Sequence, residues 1–290
     1  MKNLMITGAS GSLGPWLTAA CKNHDYHIFA LKGPNKEPGI DLTDEASIRR
    51  MIGKIKPDIV INLAACSQVN KCFTHPDYAE KLNAQGPPLL TKVLKEIVQK
   101  AFIVQVSTDM VFDGTEPPYN ENSKPNPLSV YGRTKLRGEK LFLAAGGDLV
   151  VRLPLLLGPQ HKTVKDSLAP NFFEQMIKLI RTKQPLKLFY DEKRCPISYS
   201  VASCALIHLT QKRAQGIYHV PGSESLSRMA IGETLARVMG VDKPALIPVC
   251  SAAAACKEPR PKDLTISTLH PQMIERICKV NLFDQIREVL

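Results

Sequence analysis

Five short apolar runs divide the first half of the chain: "NLMIT" (3–7), "YHIFAL" (26–31), "DIVINLAA" (58–65), "FIVQVS" (102–107) and "DLVVRLP" (148–154). They are rich in β-branched residues and apolar nearly throughout, the pattern of strands covered on both faces. Between them, residues 12–23, 44–55, 77–99 and 129–145 read as helices. Strands and helices alternating at this interval predict βαβ units: an α/β fold, with a Rossmann-like, doubly wound parallel sheet. The second half is less regular. "NFFEQMIKLIRTK" (171–183) places Phe172, Met176 and Ile180 on one helix face, and "SLSRMAIGETLARVMG" (225–240) reads as a capped helix closed by Gly240. "GIYHV" (216–220) reads as a strand, and "CKEPRPKDL" (256–264) as a loop. The pattern predicts a sheet domain over 1–154, joined by 196–219, and a smaller α/β domain from 155–195 and 220–290.

Composition mostly narrows the classes. Hydrophobic residues make up 44% and charged residues 22%, ordinary for a soluble globular protein. No apolar run approaches the ~18 residues of a membrane span. "MKNLMITGAS" breaks into Gly and Ser too early for a signal peptide, so no membrane association and a cytoplasmic location are expected. The net charge of +11 is spread along the chain without a basic tract. It is therefore read as a surface field that steers a small polyanion rather than as a nucleic-acid footprint. None of the eight cysteines forms C-x-x-C, and no histidine has H-E-x-x-H spacing. Most cysteines are expected reduced and buried, and no metal site is expected.

Candidate chemistry begins at "TGASGSLG" (7–14), where Gly8, Gly11 and Gly14 follow the first strand and precede the first helix. The first glycine permits a tight turn, the second lets backbone N–H groups approach a pyrophosphate, and the third packs helix against strand. The helix N-terminus then faces the anion. A glycine triplet alone is weak evidence; between the first strand and first helix it points to a dinucleotide. An acid at the end of the second strand would hold a ribose 2′-hydroxyl. Here that strand ends "FALKG", with Lys32 in place of an acid, while Asp41 comes too late. NADP(H) is therefore preferred, with NAD(H) possible.

In "SVYGRTKLRGEK" (129–140), Tyr131 and Lys135 stand one helical turn apart and project from the same face. A neighbouring ammonium favours phenolate and is expected to lower a tyrosine pKa from ~10. Tyr131 would then protonate a carbonyl oxygen while Lys135 positions a cofactor. Ser107 and Thr108 in "VSTDMVFDG" supply a hydroxyl at the carboxyl end of the fourth strand, where ligands of open α/β sheets bind. Such Tyr/Lys pairs also occur on ordinary helices. The upstream glycine turn and the strand-end hydroxyls give this one its weight.

Together "TGASGSLG", "NLAA", "STDMVFDG" and "YGRTK" resemble an extended short-chain dehydrogenase/reductase, and more closely the dTDP-4-dehydrorhamnose reductase family. The similarity continues through "PPYNENSKPNPLSVYGRTKLRGEK", "VRLPLLLG", "GIYHVPGSESLSRMAIGETLA" and "EPRPKDLTIST". It implies NAD(P)H-dependent reduction of the 4-keto group of a nucleotide-linked 6-deoxyhexose, in a monomer or homodimer. It also implies roles: Thr108, Tyr131 and Lys135 as the catalytic set, with Tyr131 and Lys135 also binding the cofactor, and Gly8, Ser10, Gly11, Ser12 and Leu13 as the pyrophosphate turn. Asp41 and Leu42 resemble an adenine-contacting pair, Ala64 and Ala65 line the cofactor, and Pro154 lies beside the nicotinamide. Arg260 matches a basic position near the substrate diphosphate, within the smaller, substrate-binding domain.

Two departures stand out. Asn70 in "VNKCF" replaces an acid and no glutamate follows, which weakens the expectation of a magnesium-linked dimer and of identical substrate contacts. "LPLLLG" replaces a segment with a sugar-facing aromatic. These keep open a second resemblance, to the regulatory β subunit of methionine adenosyltransferase, an NADP-binding partner module, through "VFDG", "PPY" and R-x-P features. A nucleotide-sugar epimerase is a third reading. A 4,6-dehydratase ranks low, because Met110 follows Thr108-Asp109 where dehydratases carry glutamate.

Overall fold

Parallel strands run in the spatial order β2 (Tyr26–Ala30), β1 (Lys2–Thr7), β3 (Ile59–Asn62), β4 (Phe102–Thr108), β5 (Leu149–Leu153), then the strand Gly216–His219. The computed structural model describes residues 1–163, 170–253, 258–278 and 280–290. The chain steps from β1 outward to β2 and then returns past β1 to β3. The carboxyl ends of β1 and β3 thus flank a switch point, the place where open α/β sheets bind ligands. A parallel bridge from Lys32 to Gly39 continues the sheet just beyond β2.

Why these runs form strands follows from their two faces. Leu4, Ile6, Ile59, Ile61, Phe102, Val104, Leu149 and Val151 pack on one side, against Leu17 of helix α1 (Leu13–Cys21) and Ala202 and Leu206 of helix Tyr199–Gln211. Met5, Val60, Ile103 and Val150 point the other way, against Ile48 and Ile52 of helix α2 (Glu45–Ile55), Leu90 and Leu94 of helix Gly86–Ile97, and Phe142. A fully buried Leu or Ile contributes about 1.5–3 kcal/mol, against a net ~0.5–1.5 kcal/mol for a ladder hydrogen bond. Two-faced burial, more than the ladder, therefore selects these segments.

Local signals set the helix ends. Asp44 accepts the N–H groups of Ala46 and Ser47 to start α2, and Ser129 accepts that of Gly132 (3.1 Å) to start helix Val130–Ala144. The segment predicted as one helix over 77–99 is a compound rod: Pro76–Ala79, a π-helical turn Glu80–Gln85, and Gly86–Ile97. The π turn presents Asn83, whose amide bonds both backbone groups of Cys66 (2.8 and 3.0 Å) and the Thr134 hydroxyl (3.1 Å). A Cβ on Gly138 would lie 2.1 Å from the Asn83 carbonyl oxygen, so helix Val130–Ala144 seats against this turn only because residue 138 is glycine.

In the second half, Phe173, Met176 and Ile180 form the buried face of helix Phe172–Arg181, while Phe172 is 43% exposed. The expected Phe172/Met176/Ile180 stripe drifts off the face because its steps of four exceed the 3.6-residue turn; the i, i+3, i+7 set does not. The helix predicted from 225 begins at Arg228, since Leu226–Ser227 pairs with Lys193–Arg194 as a short strand. Gly240 (φ +64°) does close it. Within the expected 256–264 loop, Asp263–Leu264 forms a strand beside Lys193–Arg194, and residues 256–257 lie outside the described residues. Leu186–Phe189 pairs with Leu246–Val249, a parallel pair that the sequence pattern did not announce. Cys21, Cys66, Cys72 and Cys195 are buried free thiols; Cys204 is exposed.

A buried ionic chain ties helix Val130–Ala144 to the sheet. Ser107 donates to Glu139, Glu139 pairs with Arg152 (2.7 Å), and Arg152 approaches His219 Nε2 at 3.3 Å. Glu139 and Arg152 side chains are each 2% exposed. Glu139→Ala, which strands a buried guanidinium, is expected to lower unfolding free energy by about 3–5 kcal/mol in urea titrations. Arg49→Ala, at solvent-exposed pairs with Glu45 and Glu96, is expected to leave the urea midpoint close to that of wild type.

Candidate functional site

One cavity of about 900 Å³ runs along the carboxyl ends of the strands, and every site residue expected from the sequence lines it. Gly8, Ser10, Gly11, Ser12 and Leu13 form its floor at the first turn. Gly8 has φ +67°, and a Cβ there would lie 2.6 Å from the Ala64 nitrogen, so glycine is required for both conformation and space. Gly14 faces the backbone of Ala9 at 2.6 Å from a built Cβ, so it packs the helix on the turn rather than on the strand. The Ser12 side chain makes no cap to α1; it meets the Tyr199 hydroxyl instead. The first-turn N–H groups of α1 thus lack a side-chain cap, the arrangement that receives a phosphate.

Beyond β2, Lys32, Asp41 and Leu42 line the cavity, as does Lys36, which the sequence reading missed. Lys32 Nζ donates to the Glu37 carbonyl (3.0 Å), which holds the ammonium at the rim. Asp41 accepts from Thr43 N (2.9 Å) and Thr43 Oγ1 (2.8 Å). Ala64 and Ala65 line the middle, where Ala64 N donates to Asn62 Oδ1 at 3.1 Å. Thr7, Asn62 and Gln105 form a buried polar row beneath, hydrogen-bonded from β1 through β3 to β4 and ending on the Val106 carbonyl.

That carbonyl also receives Lys135 Nζ (2.7 Å). Lys135 is 4% exposed, and burial pulls its pKa down to about 8, with Glu139 pulling it back up. The half-buried Tyr131 ring packs against Cys66, Cys72 and Ala79, and the Tyr131 and Thr108 hydroxyls are hydrogen-bonded. The Tyr131 phenol does not behave as expected. Burial raises its pKa above the ordinary tyrosine value, Asp109 raises it further, and only the Thr108 bond opposes them. With Lys135 seated on the strand carbonyl, burial sets the direction and favours the neutral phenol. Thr108 supplies the hydroxyl beside Tyr131, while also donating to Asp109 Oδ1 (3.1 Å) and accepting Met110 N (3.2 Å); the Ser107 hydroxyl is spent on Glu139. Pro154, after β5, closes this end.

The far arm gathers Asp109, Arg194, Arg228, Glu258 and Arg260, of which the sequence reading assigned a binding role to Arg260 alone. Arg260, expected near a diphosphate, instead grips the fully buried Glu192 with Nε and Nη2 (Nη2–Oε2 2.9 Å). Glu258 accepts Val130 N (2.7 Å) at the start of the Tyr131 helix. Asp109 is 4% exposed, and its Oδ2 has no hydrogen-bond partner. Burial pushes its carboxyl up to about 6, against the pull of Arg194, Thr108 and Arg228. Among the described residues no group of His, Cys, Asp and Glu could hold a metal ion, and no helix is long and apolar enough to cross a membrane.

The raised Asp109 pKa fixes the sign of a stability effect. Between the unfolded value near 3.8 and about 6, the folded state binds more protons, so ionising Asp109 costs stability as pH rises through this window. Asp109→Asn should therefore gain on wild type by up to about 3 kcal/mol between pH 4 and pH 7. Urea unfolding at both pH values reads this difference; a pH-independent difference would contradict it.

Three comparisons fit this geometry. Methionine adenosyltransferase 2 subunit beta of Xenopus laevis is 30% identical over 269 residues, 90% of this chain and 78% of that protein. Spore coat polysaccharide biosynthesis protein SpsK of Bacillus subtilis (strain 168) is 30% identical over 263 residues, 90% of this chain and 87% of that protein. The crystal structure of a dTDP-4-dehydrorhamnose reductase from Clostridium acetobutylicum superposes with a TM-score of 0.84 at 28% identity, over 99% of this chain and 98% of that one. The family described as RmlD substrate binding domain matches residues 1–289, and the chain belongs to that family.

Proposed function

We propose that this protein is an oxidoreductase that uses NADP(H) in preference to NAD(H) to reduce the 4-keto group of a nucleotide-linked 6-deoxyhexose. The observation that carries this reading is the meeting of Thr108, Tyr131 and Lys135 in the cavity that the glycine turn opens. The uncapped α1 terminus and the cavity-lining glycine turn fit a dinucleotide diphosphate. The turn residues, Lys32, Lys36, Asp41, Leu42, Ala64, Ala65, Lys135 and Pro154 would hold that cofactor. When bound, a reduced nicotinamide supplies the hydride for the carbonyl carbon.

The chain's own groups then account for the proton. Thr108 and Tyr131 present hydroxyls to one carbonyl oxygen, and Tyr131, neutral at physiological pH, gives its proton to that oxygen as negative charge grows there. Lys135 faces this charge from a seat fixed by the Val106 carbonyl, and Glu139 favours its charged form. The division into a sheet domain (1–154 with 196–219) and a substrate-binding domain (155–195 and 220–290) is part of the same proposal. In it the far arm, on the second domain, receives the sugar nucleotide.

A second reading has a specific basis: the similarity to methionine adenosyltransferase 2 subunit beta. In that reading the cavity holds NADP(H) while the chain serves as a regulatory partner. Tight NADPH binding with no turnover of any keto-sugar, together with capture of a methionine adenosyltransferase catalytic subunit, would favour it.

Tyr131→Phe is expected to lower kcat on a dTDP-4-keto-6-deoxyhexose by about 10²–10⁴-fold, with NADPH affinity within about threefold. Following NADPH absorbance checks this; turnover that survives in the variant would remove Tyr131 from the reaction. For cofactor choice, Lys32→Asp is expected to raise KM for NADPH at least about tenfold more than KM for NADH, an ion-pair loss of the size charged hydrogen bonds contribute. Equal changes would discard the 2′-phosphate role.

A further inference from the structure

The far arm holds three guanidinium groups, and the structure leaves them in different states. Arg194 is 5% exposed and donates to the carbonyls of Lys193 (2.6 Å), Pro261 (3.1 Å) and Lys262 (3.3 Å). Arg260 is paired through two nitrogens with Glu192. Arg228 is half-buried and lines the cavity, with its guanidinium over the Phe172 ring at 5.5 Å. Among the described residues no hydrogen bond or ion pair engages that guanidinium; only the Arg228 backbone N–H has a partner, the Glu192 carbonyl (3.2 Å).

The position is unfavourable for the fold. Arg228 opens helix Arg228–Val238, after the Ser227 cap, where the helix dipole opposes a cation. Arg194 and Arg260 add like charge. Together with burial they pull the Arg228 pKa down to about 10, and Glu192 and Asp109 only partly offset this. Glu192 is already shared between Arg260 and Arg194. Five open donors and a helix N-terminus at one cavity wall offer a receptor for an anion, although Asp109 and Glu258 line the same arm and balance part of the positive charge. The planar fork matches two oxygens of a phosphate.

We propose that Arg228, rather than Arg260, takes the phosphate group of the ligand in this arm, and that Arg260 instead fixes the buried Glu192 behind it. The proposal deepens the nucleotide-sugar reading and rests on it. It makes Arg228 a substrate-binding residue that no sequence motif marks, and it removes that role from the residue the family resemblance indicated.

The test is calorimetric titration of dTDP and of thymidine into the NADPH-bound protein. Wild type is expected to bind dTDP more tightly than thymidine. Arg228→Met should weaken dTDP by about 10–100-fold, the size of a lost charged hydrogen-bond pair, leaving thymidine and NADPH affinities within about twofold. Arg228→Lys, which keeps charge but not the fork, should fall between and serves if the Met variant does not fold. Arg260→Met should change dTDP affinity less than about threefold while lowering the melting temperature. With a keto-sugar nucleotide, Arg228→Met should raise KM with kcat within about threefold. Wild-type dTDP affinity in the Arg228 variants, or loss in Arg260→Met alone, overturns the assignment while turnover keeps the reductase reading. Wild type that binds no dTDP overturns both.

Discussion

The contact of Lys135 Nζ with the Val106 carbonyl at 2.7 Å, beside the Ser107–Glu139 bond, joins the helix that carries Tyr131 to the strand that carries Thr108. An ammonium at 4% exposure is tolerable only if it donates to a fixed acceptor and has a counter-charge within reach. Val106 provides the first and Glu139 the second. The glycines at 132 and 138 allow the helix close enough for this contact: a Cβ at either would fall 2.2 or 2.1 Å from a backbone oxygen, of Met110 or Asn83. The motif therefore encodes a packing distance as much as a chemistry.

The electrostatics around this contact pull in opposite directions. Burial lowers the lysine, raises the phenol and raises Asp109. A solvent-exposed Tyr/Lys pair would share a proton easily; here burial favours the neutral phenol. In the proposed reaction the same desolvation would strengthen each interaction with the developing charge. The polar row Thr7–Asn62–Gln105 below holds the strand ends that set this geometry.

Much of the sheet was legible because its strands are buried on both faces, so continuous apolar runs mark them without ambiguity. The glycine turn and the Tyr131/Lys135 spacing were legible for the same kind of reason: each is a local pattern whose physics needs only a few neighbouring residues. The far arm was not. Glu192, Arg194, Arg228 and Arg260 are brought together by two-residue strands, Lys193–Arg194 with Leu226–Ser227 and Asp263–Leu264, too short to carry periodicity. The pairing of Arg260 with Glu192 was hidden for the same reason: the two lie 68 residues apart. The raised Tyr131 pKa was likewise hidden, because spacing reveals a neighbouring charge but not the burial that outweighs it.

The most direct test of the account is a crystal structure of the protein grown with NADP(H). The account predicts the dinucleotide diphosphate over Gly8–Leu13, the adenosine toward Asp41 and Leu42, and the nicotinamide between Pro154 and Tyr131, with the phenol facing it. A dinucleotide bound elsewhere, or a Tyr131 hydroxyl turned away from the nicotinamide, would contradict it.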